Sequence, residues 1–468
     1  MRHLIPSVIL SVMLLEPAWA AERSYPVAGT GQTGCYDDRG AAPCPAAKGA
    51  PFWGQDGQRR LALPAYGDNG DGTVTDPLTG LMWEKGFRKL GFAEAAAAAA
   101  GARTGGHADW RVPTIKELYS LIRFDGSTGS ARPEQTGAPA DARPYIDTRA
   151  FAFEYPAQGR FIDAQYLTRT VYAGTVMGGD KAFFGVNFAD GRIKGYPQDG
   201  GPGRRVWYAR FVRGNPDYGR NDFVDNGDGT VSDRATGLTW TQADSGGEAF
   251  RRAMAGTARR DGRLDWREAL AFCSGLDFAG HADWRLPDAK ELHSIVDYTR
   301  APDVTGSAAI DPVFAITAIA DDQGKRDWPY AWTSTTHLDG RVMGDFAVYV
   351  AFGRAGGWMG RRGGPPPGGG PPPGGGFGPP PGGGFGPPPG GGPPPGNGPM
   401  GNGPMGGPGF GRAEAGGSGE MRLLDVHGAG AQRSSPKGGD ESRLPRGAGP
   451  QGDVLRIYNT ARCVRGGA

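Results

Sequence analysis

Two stretches of this chain are repeated almost letter for letter, and the repeat limits the fold to two copies of one module. Residues 68–83 read DNGDGTVTDPLTGLMW, and residues 225–240 read DNGDGTVSDRATGLTW. Further along, residues 106–113 (GHADWRVP) return as residues 280–287 (GHADWRLP). An internal repeat with such a long period indicates that the two halves of the chain fold alike. It also allows each residue of one copy to be compared with its counterpart in the other.

The N-terminus has the pattern of a secretory signal peptide. A basic start at Arg2 precedes a mostly apolar run at residues 4–15, and Ala18 and Ala20 form a small-x-small cleavage site. We expect cleavage after Ala20, so that residues 1–20 are removed and the product is periplasmic or secreted. The apolar run is too short to cross a bilayer, and we expect no membrane span elsewhere.

The four cysteines of an exported chain indicate disulfides. Cys273 and Cys463 lie in the second copy, and each stands opposite a residue of another type in the first copy. Their joint presence in one copy and joint absence in the other predict a Cys273–Cys463 disulfide, which ties a helix to the last strand. The remaining pair, Cys35 and Cys44, is predicted to close a small N-terminal loop.

The elements predicted for each module are a hairpin, two helices and several strands, which is an α+β fold. Capping boxes begin helices at Thr114, Asp265 and Asp288, and an alanine-rich helix is predicted over residues 92–100. β-rich segments match between the copies and are predicted to be strands: 166–170 with 331–335, 186–188 with 350–352, and 209–213 with 461–465.

The last of these matches sets the predicted domain boundaries. Because residues 461–465 complete the second module, the Gly/Pro-rich stretch before them is an insertion inside a domain rather than a tail. The predicted organisation is a signal peptide (1–20), an N-terminal segment (21–64), module one (65–214), module two (222–362 with 453–466), and an insertion with an irregular loop (363–452).

The insertion is rich in Pro-Pro-Pro and Gly-Gly-Gly runs over residues 363–411. It has too little apolar surface for a core, which predicts a disordered spacer. The glycines do not recur at every third position, so a collagen triple helix is excluded. A ligand for aromatic grooves and a self-associating segment remain alternatives. Residues 423–450 are expected to form an ordered irregular loop.

The Asn-Gly-Asp-Gly sequences resemble the middle of a calcium-binding EF-hand loop. The ligand expected two residues earlier is missing in both copies, and position twelve is Leu78 or Ala235 instead of glutamate. A structural turn is therefore favoured. The weak calcium candidates are Asn69, Asp71, Asn226 and Asp228.

The repeated His-Ala-Asp-Trp-Arg motif contains groups that could act as acid and base. It directly precedes a capped helix and has no shared nucleophile or second carboxylate nearby, which favours a scaffolding role. The chain has no phosphate loop, zinc-protease motif or nucleophile elbow. We therefore expect neither enzymatic activity nor a cofactor.

Cations that differ between the copies cluster around the last strands of each module. Such a cluster is often only a solvated face, but it would also suit the sulfate, carboxylate or phosphate groups of an acidic polysaccharide. The ligand-binding candidates are Arg192, Lys194, Arg204, Arg205, Arg354, Arg361 and Arg362.

Taken together, these motifs, with Asp-Trp-Arg-Leu-Pro-x-x-Lys-Glu-Leu, Trp-Thr-Ser-Thr and a closing Arg-Cys-Val-Arg, resemble the Lcl C-terminal domain family, the C-terminal domain of collagen-like adhesins. The resemblance covers residues 66–214, 225–362 and 453–466. It implies two exported C-type-lectin-like modules that bind sulfated glycosaminoglycans. The Arg-Leu-Pro-x-x-x-Glu-Leu start of a helix is also similar to the formylglycine-generating-enzyme and C-type-lectin-like group, in which a helix-to-last-strand disulfide recurs. The collagen stalk of the adhesins is absent here, and module one lacks the disulfide.

The sequence therefore favours an exported, non-enzymatic binding or adhesion protein that recognises acidic or sulfated polysaccharide or another cell-surface ligand. Its partner would be a cell-envelope glycan or a surface protein. A formal charge of +2 does not favour nucleic acid. One alternative is a structural envelope protein with the insertion as a spacer. Another is an enzyme of the formylglycine-generating type, which would need a reactive cysteine.

Overall fold

The computed structural model describes residues 23–59, 61–131, 135–199, 206–339, 342–360 and 421–467. The predicted signal peptide and the Gly/Pro-rich stretch at 363–411 lie outside the described residues. Among the described residues, no helix is both long and apolar enough to cross a membrane. This part of the chain is rich in strands and has five short α-helices, in agreement with the α+β class.

The helices are α1 (Ala95–Gly101), α2 (Ile115–Tyr119), α3 (Trp266–Gly275), α4 (Ala289–Ser294) and α5 (Pro302–Thr305). The strands are β1 (Cys35–Tyr36), β2 (Ala41–Ala42), β3 (Gly67–Asp68), β4 (Thr73–Asp76), β5 (Leu81–Glu84), β6 (Arg88–Leu90), β7 (Gln165–Val171), β8 (Ala182–Asn187), β9 (Arg192–Pro197), β10 (Trp207–Ala209), β11 (Val212–Gly214), β12 (Phe223–Asp225), β13 (Thr230–Asp233), β14 (Leu238–Thr241), β15 (Ile319–Ala320), β16 (Arg326–Asp327), β17 (Tyr330–His337), β18 (Phe346–Ala351), β19 (Gly356–Gly360), β20 (Met421–Asp425), β21 (Gln432–Pro436) and β22 (Val464–Gly466).

Each module has a four-stranded antiparallel sheet built on the repeated Asn-Gly-Asp-Gly sequence. The strand order is β3-β4-β5-β11 in module one and β12-β13-β14-β22 in module two. Thr73 pairs with Glu84, and Thr230 pairs with Thr241, so the two sheets have the same register. Gly72 has φ 87°, a conformation that glycine adopts without strain. The predicted hairpins are confirmed.

A second, eight-stranded sheet runs through both modules. Its order is β17-β18-β21-β9-β8-β7-β10-β6, with the first three strands from module two and the other five from module one. The modules meet where β21 lies antiparallel to β9, with Gln432 opposite Ile193. The two modules therefore pack together as one continuous sheet, a point on which the sequence was silent.

The repeated helices α2 and α4 pack against this sheet. Thr114 and Asp288 form the predicted capping boxes with Glu117 and Glu291. The predicted box at Asp265 begins α3. The apolar faces inferred from the repeat are buried in one core, which gives each short helix the tertiary packing it needs to form: Leu118, Leu121, Ile122, Leu292, Ile295 and Val296.

Both predicted disulfides are present, Cys35–Cys44 and Cys273–Cys463. The second joins α3 to the residue before β22. It closes a sequence separation of 190 residues, for which the loop-entropy model gives a stabilisation of about 5 kcal/mol. In module one the corresponding residues are Ala99 and Phe211, which are buried in a single apolar cluster. Apolar packing there takes the place of the covalent link.

The prediction of an irregular loop at 423–450 is wrong for two segments. The strand β20 forms a hairpin with β19, and β21 lies inside the eight-stranded sheet between β18 and β9. The sequence of β21, QRSSP, lacks apolar alternation because its side chains are buried among polar partners. Gln432, for example, accepts a hydrogen bond from the Tyr119 hydroxyl at 3.2 Å.

The single strand predicted at 209–213 is also divided in two. Between β10 and β11 the chain passes from the eight-stranded sheet to the four-stranded one at Arg210. Its buried guanidinium donates to the main-chain oxygens of Glu84, Lys85 and Gly86 at 2.5–2.8 Å. In module two Arg462 makes the equivalent bonds to main-chain oxygens.

Candidate functional site

The His-Ala-Asp-Trp-Arg motif holds the framework together. In module two Arg285 pairs with Glu291 at 2.6 Å, and Asp283 pairs with Arg465 at 2.8 Å. The Trp284 indole donates to a main-chain oxygen. Module one makes the same contacts through its own copy of the motif. The motif's carboxylate and guanidinium are therefore committed to structural ion pairs, as a scaffolding role requires.

The weak calcium candidates are engaged in the turns. The Asn69 amide donates to the hydroxyls of Thr73 and Thr75 at 2.8 and 2.9 Å, and Asp71 accepts from Thr73. The Asn226 and Asp228 side chains make the corresponding bonds in module two. Among the described residues there is no group of three or more side chains suited to a metal ion.

The cationic candidates do not form one exposed face within the described chain. Arg192 lies in the shared sheet and pairs with Asp190 and Asp339. Lys194 is buried and donates to Gln451 at 2.9 Å, and this burial lowers its pKa to about 8. Charged groups buried in a sheet need such partners, which an alternating sequence pattern does not reveal.

Arg354 is also paired rather than free. It contacts Asp303 at 2.5 Å and Asp327 at 3.6 Å beside a small cavity of about 210 Å³. The other four candidates, Arg204, Arg205, Arg361 and Arg362, lie outside the described residues. Three of the seven candidates, Arg192, Lys194 and Arg354, can therefore be placed in the structure. They do not form the unpaired cluster that an anion-binding face would require.

A larger cavity of about 400 Å³ opens between the two modules. We call it the intermodule cleft. Its walls are the start of α2, the end of β7, the segment joining the modules, and the residues after α4. Arg169 on its rim is exposed and has no side-chain partner among the described residues. The other lining residues that matter here are Ile115, Lys116, Thr170, Tyr218, Arg220, Phe223 and Tyr298.

The lysines of the repeated Lys-Glu-Leu sequence join the modules beneath this cleft. Lys116 donates to the main-chain oxygen of Ser294 at 2.7 Å, and Lys290 donates to that of Ser120 at 2.8 Å. Each lysine thus binds at the C-terminal end of the other module's helix, where free carbonyls favour a cation. Burial lowers the pKa of both lysines to about 8. This reciprocal contact was not predicted from the sequence. The lysine that both copies share at this position was the one feature that could have indicated it.

The equivalent position in module two is occupied by the N-terminal segment. Gly29 accepts from Lys290 at 3.1 Å, just as Gly219 accepts from Lys116 at 3.2 Å. Beyond this point the segment fills the cleft, and the buried Asp56 accepts from Thr335 at 2.6 Å. One half of the molecule therefore has a filled cleft, and the other half has an open one.

The fold defines a sheet-rich α+β protein made of two fused copies of one module with a cleft between them. The chain belongs to the Lcl C-terminal domain family, whose model matches residues 72–213 and 229–362, more than half of its length. The two matches confirm the tandem copies. No curated protein and no solved structure matches the chain.

Proposed function

We propose that this protein is an exported, non-enzymatic binding protein built from two C-type-lectin-like modules, and that it binds an acidic cell-surface ligand in the intermodule cleft. Acidic or sulfated polysaccharide is the first ligand class to test. The observation that carries the proposal is the open cleft with Arg169 on its rim, an exposed guanidinium that has no partner within the described chain. Arginine binds carboxylate, sulfate and phosphate groups through paired hydrogen bonds.

The aromatic residues of the cleft support a binding role. Tyr218, Tyr298 and Phe223 line it together with polar groups, and a mixed aromatic and polar lining is typical of ligand pockets. A purely structural envelope protein would have no need for an open cleft of this size.

The cysteines argue against the formylglycine-generating alternative. All four are joined in two disulfides, so no thiol is free to react. The same disulfides fit an oxidising compartment and therefore the export proposed from the leader sequence.

The test is binding of the mature protein to heparin, to polygalacturonate and to neutral dextran at several salt concentrations. We expect binding to an acidic polymer that weakens as salt rises. Arg169→Ala should reduce the affinity about tenfold, the loss typical of one charge-assisted hydrogen bond. Arg149→Ala is the matched control because Arg149 is exposed, lies outside the cleft and pairs with Asp147.

A parallel variant, Arg361→Ala/Arg362→Ala, tests the rival cationic cluster. If that variant loses binding and Arg169→Ala does not, the cleft is not the binding site. Failure of every acidic polymer to bind would move the protein to the structural alternative.

A further inference from the structure

The ligand chemistry of the intermodule cleft can be inferred from the filled cleft of module two, because the two are built alike. In module two Thr335 accepts a hydrogen bond from the backbone amide of Ala289 at 3.0 Å and donates its own hydroxyl hydrogen to Asp56. In module one Thr170 accepts from the backbone amide of Ile115 at 2.9 Å. The two threonines occupy the same place in the repeat, and each binds the first residue of the equivalent helix, α2 in module one and α4 in module two.

The Thr170 and Thr335 hydroxyls differ in the acceptors that the described residues offer them. No described residue accepts its hydrogen, whereas Thr335 has the carboxylate of Asp56 at 2.6 Å. Thr30 also donates to Asp56, at 2.7 Å. Module one therefore presents, at Thr170, the same hydroxyl that binds a carboxylate at Thr335 in module two. Thr170 lines the intermodule cleft.

A backbone contact is also left open. At the filled cleft the amide of Phe124, which module one contributes, donates to the main-chain oxygen of Thr30 at 2.7 Å, so the N-terminal segment is held by its backbone. The counterpart of Phe124 in the repeat is Tyr298, which lines the intermodule cleft. Its amide has no acceptor among the described residues.

The segment between the modules does not close this gap. Gly219 takes the place of Gly29 as an acceptor for the buried lysine, here Lys116, and the next two residues bond to other parts of the chain. Arg220 is exposed and pairs with Asp217 at 3.0 Å, and Asn221 donates to Asp233 at 2.7 Å. Among the residues that the structure describes, none takes the places of Thr30 and Asp56 in the intermodule cleft.

We infer that the intermodule cleft binds an acidic peptide segment of a partner protein. An Asp or Glu carboxylate of the partner accepts the hydrogen bond of the Thr170 hydroxyl and pairs with Arg169, and a peptide carbonyl accepts from the Tyr298 amide. A peptide is favoured over a glycan because polypeptide fills the equivalent cleft, held there by the Asp56 carboxylate and, from a separate stretch of the same segment, by the Thr30 main-chain oxygen. This inference rests on the proposed function, since it names the partner of the same cleft.

Arg169 supplies a positive charge that, in the filled cleft, comes from the N-terminal segment itself. Its counterpart in the repeat is Ser334, which is neutral, and Asp56 is instead accompanied by Arg59 of the same N-terminal segment, which lies 3.3 Å from Glu291. A partner carboxylate in module one would meet its cation on the cleft itself. This arrangement suits a ligand that arrives from outside the chain.

The experiment uses the mature full-length protein and a blocked peptide, Gly-Gln-Asp-Gly-Gln, the sequence of residues 54–58. The comparison peptide has asparagine in place of the aspartate. Binding is followed by NMR shifts of the Thr170 and Tyr298 amides. We expect the aspartate peptide to bind at least about fivefold more tightly, as loss of one hydrogen bond to a charged group requires.

Two variants make the result specific. Thr170→Val should abolish the preference for aspartate, and Thr170→Ser, which keeps the hydroxyl, should restore it. Arg149→Ala should leave the preference unchanged. If Thr170→Val does not fold, loss of the preference in Arg169→Ala carries the same test.

Equal binding of the two peptides, no binding of either, or a preference that survives both Thr170→Val and Arg169→Ala would overturn the inference. Polygalacturonate binding that depends on Arg169, without peptide binding, would overturn the peptide inference and leave the proposed function standing. If neither peptide nor any acidic polymer binds, both fail.

Discussion

The buried carboxyl of Asp56, which helps to fill the cleft of module two, makes the stability of the fold depend on pH. Burial raises the pKa of this carboxyl from 3.8 to about 6, even though Thr335 and Thr30 both donate to it. The protonated form is therefore favoured in the folded protein relative to the unfolded chain. Its contribution to stability is full below the unfolded pKa and is lost as the pH rises through the folded pKa.

The first prediction follows from this sign. Asp56→Asn does not titrate, so the free energy of unfolding of the variant, measured relative to wild type, should rise by roughly 2–3 kcal/mol between pH 4 and pH 7. Urea unfolding at both pH values measures it. A difference that does not change with pH would contradict the account of Asp56.

Asp68→Asn is the control with the opposite sign. The Lys85 ammonium donates to the exposed Asp68 and lowers its pKa. That carboxylate stabilises the fold above its unfolded pKa, and the benefit is lost as the pH falls. The stability of Asp68→Asn relative to wild type should therefore fall as the pH rises.

At the scale of elements, the repeat made much of the fold predictable. The capping boxes at Thr114 and Asp288 and the Cys273–Cys463 disulfide follow from local chemistry or from comparing the copies. The strand β21 could not be predicted, because its polar side chains find partners only in the assembled sheet. The cleft could not be predicted from the sequence either. Arg169 and Thr170 differ from other strand residues only in lacking, among the described residues, a partner for the guanidinium and an acceptor for the hydroxyl.

The second prediction compares the disulfide that joins α3 to the end of module two with the apolar packing that joins α1 to the end of module one. Cys273→Ser/Cys463→Ser should lower the free energy of unfolding by about 2–5 kcal/mol, because the long loop is no longer closed. Cys273→Ala/Cys463→Phe copies the buried Ala99 and Phe211 of module one. Renewed apolar burial should recover about 1–2 kcal/mol of that loss.

Urea unfolding of the two double variants and wild type, under identical oxidising conditions, measures these differences. An Ala/Phe variant less stable than the Ser/Ser variant would show that module two has not kept the packing space of module one. The two modules would then differ in more than the disulfide.

At the scale of the whole molecule, the two copies form one structure by exchanging contacts. Lys116 and Lys290 each bind the end of the other module's helix, and β21 of module two joins β9 of module one. The N-terminal segment bridges the modules, since Gln32 donates to the main-chain oxygens of Phe124 and Thr336. The repeat predicted two similar modules, but contacts between modules need groups from both copies and cannot be read from either one.

The last prediction concerns the long insertion. Gly360 at the end of β19 pairs directly with Met421 at the start of β20. A two-residue turn could therefore close this hairpin, and Asn-Gly is the sequence such turns prefer. Replacing residues 361–420 with Asn-Gly should leave the melting temperature within about 2 °C of wild type, because every described strand is kept.

Replacing residues 361–436 in the same way is the contrasting variant. It also removes β20, the partner of β19, and β21, the only strand that links β18 to β9 within the described sheet. We expect this variant to lose cooperative unfolding, since two sheet edges and the polar groups buried between them would become exposed. Differential scanning calorimetry of both variants decides the question. A large loss of stability in the shorter replacement would show that the insertion itself supports the fold, and retention of a single sharp transition in the longer one would show that β21 does not.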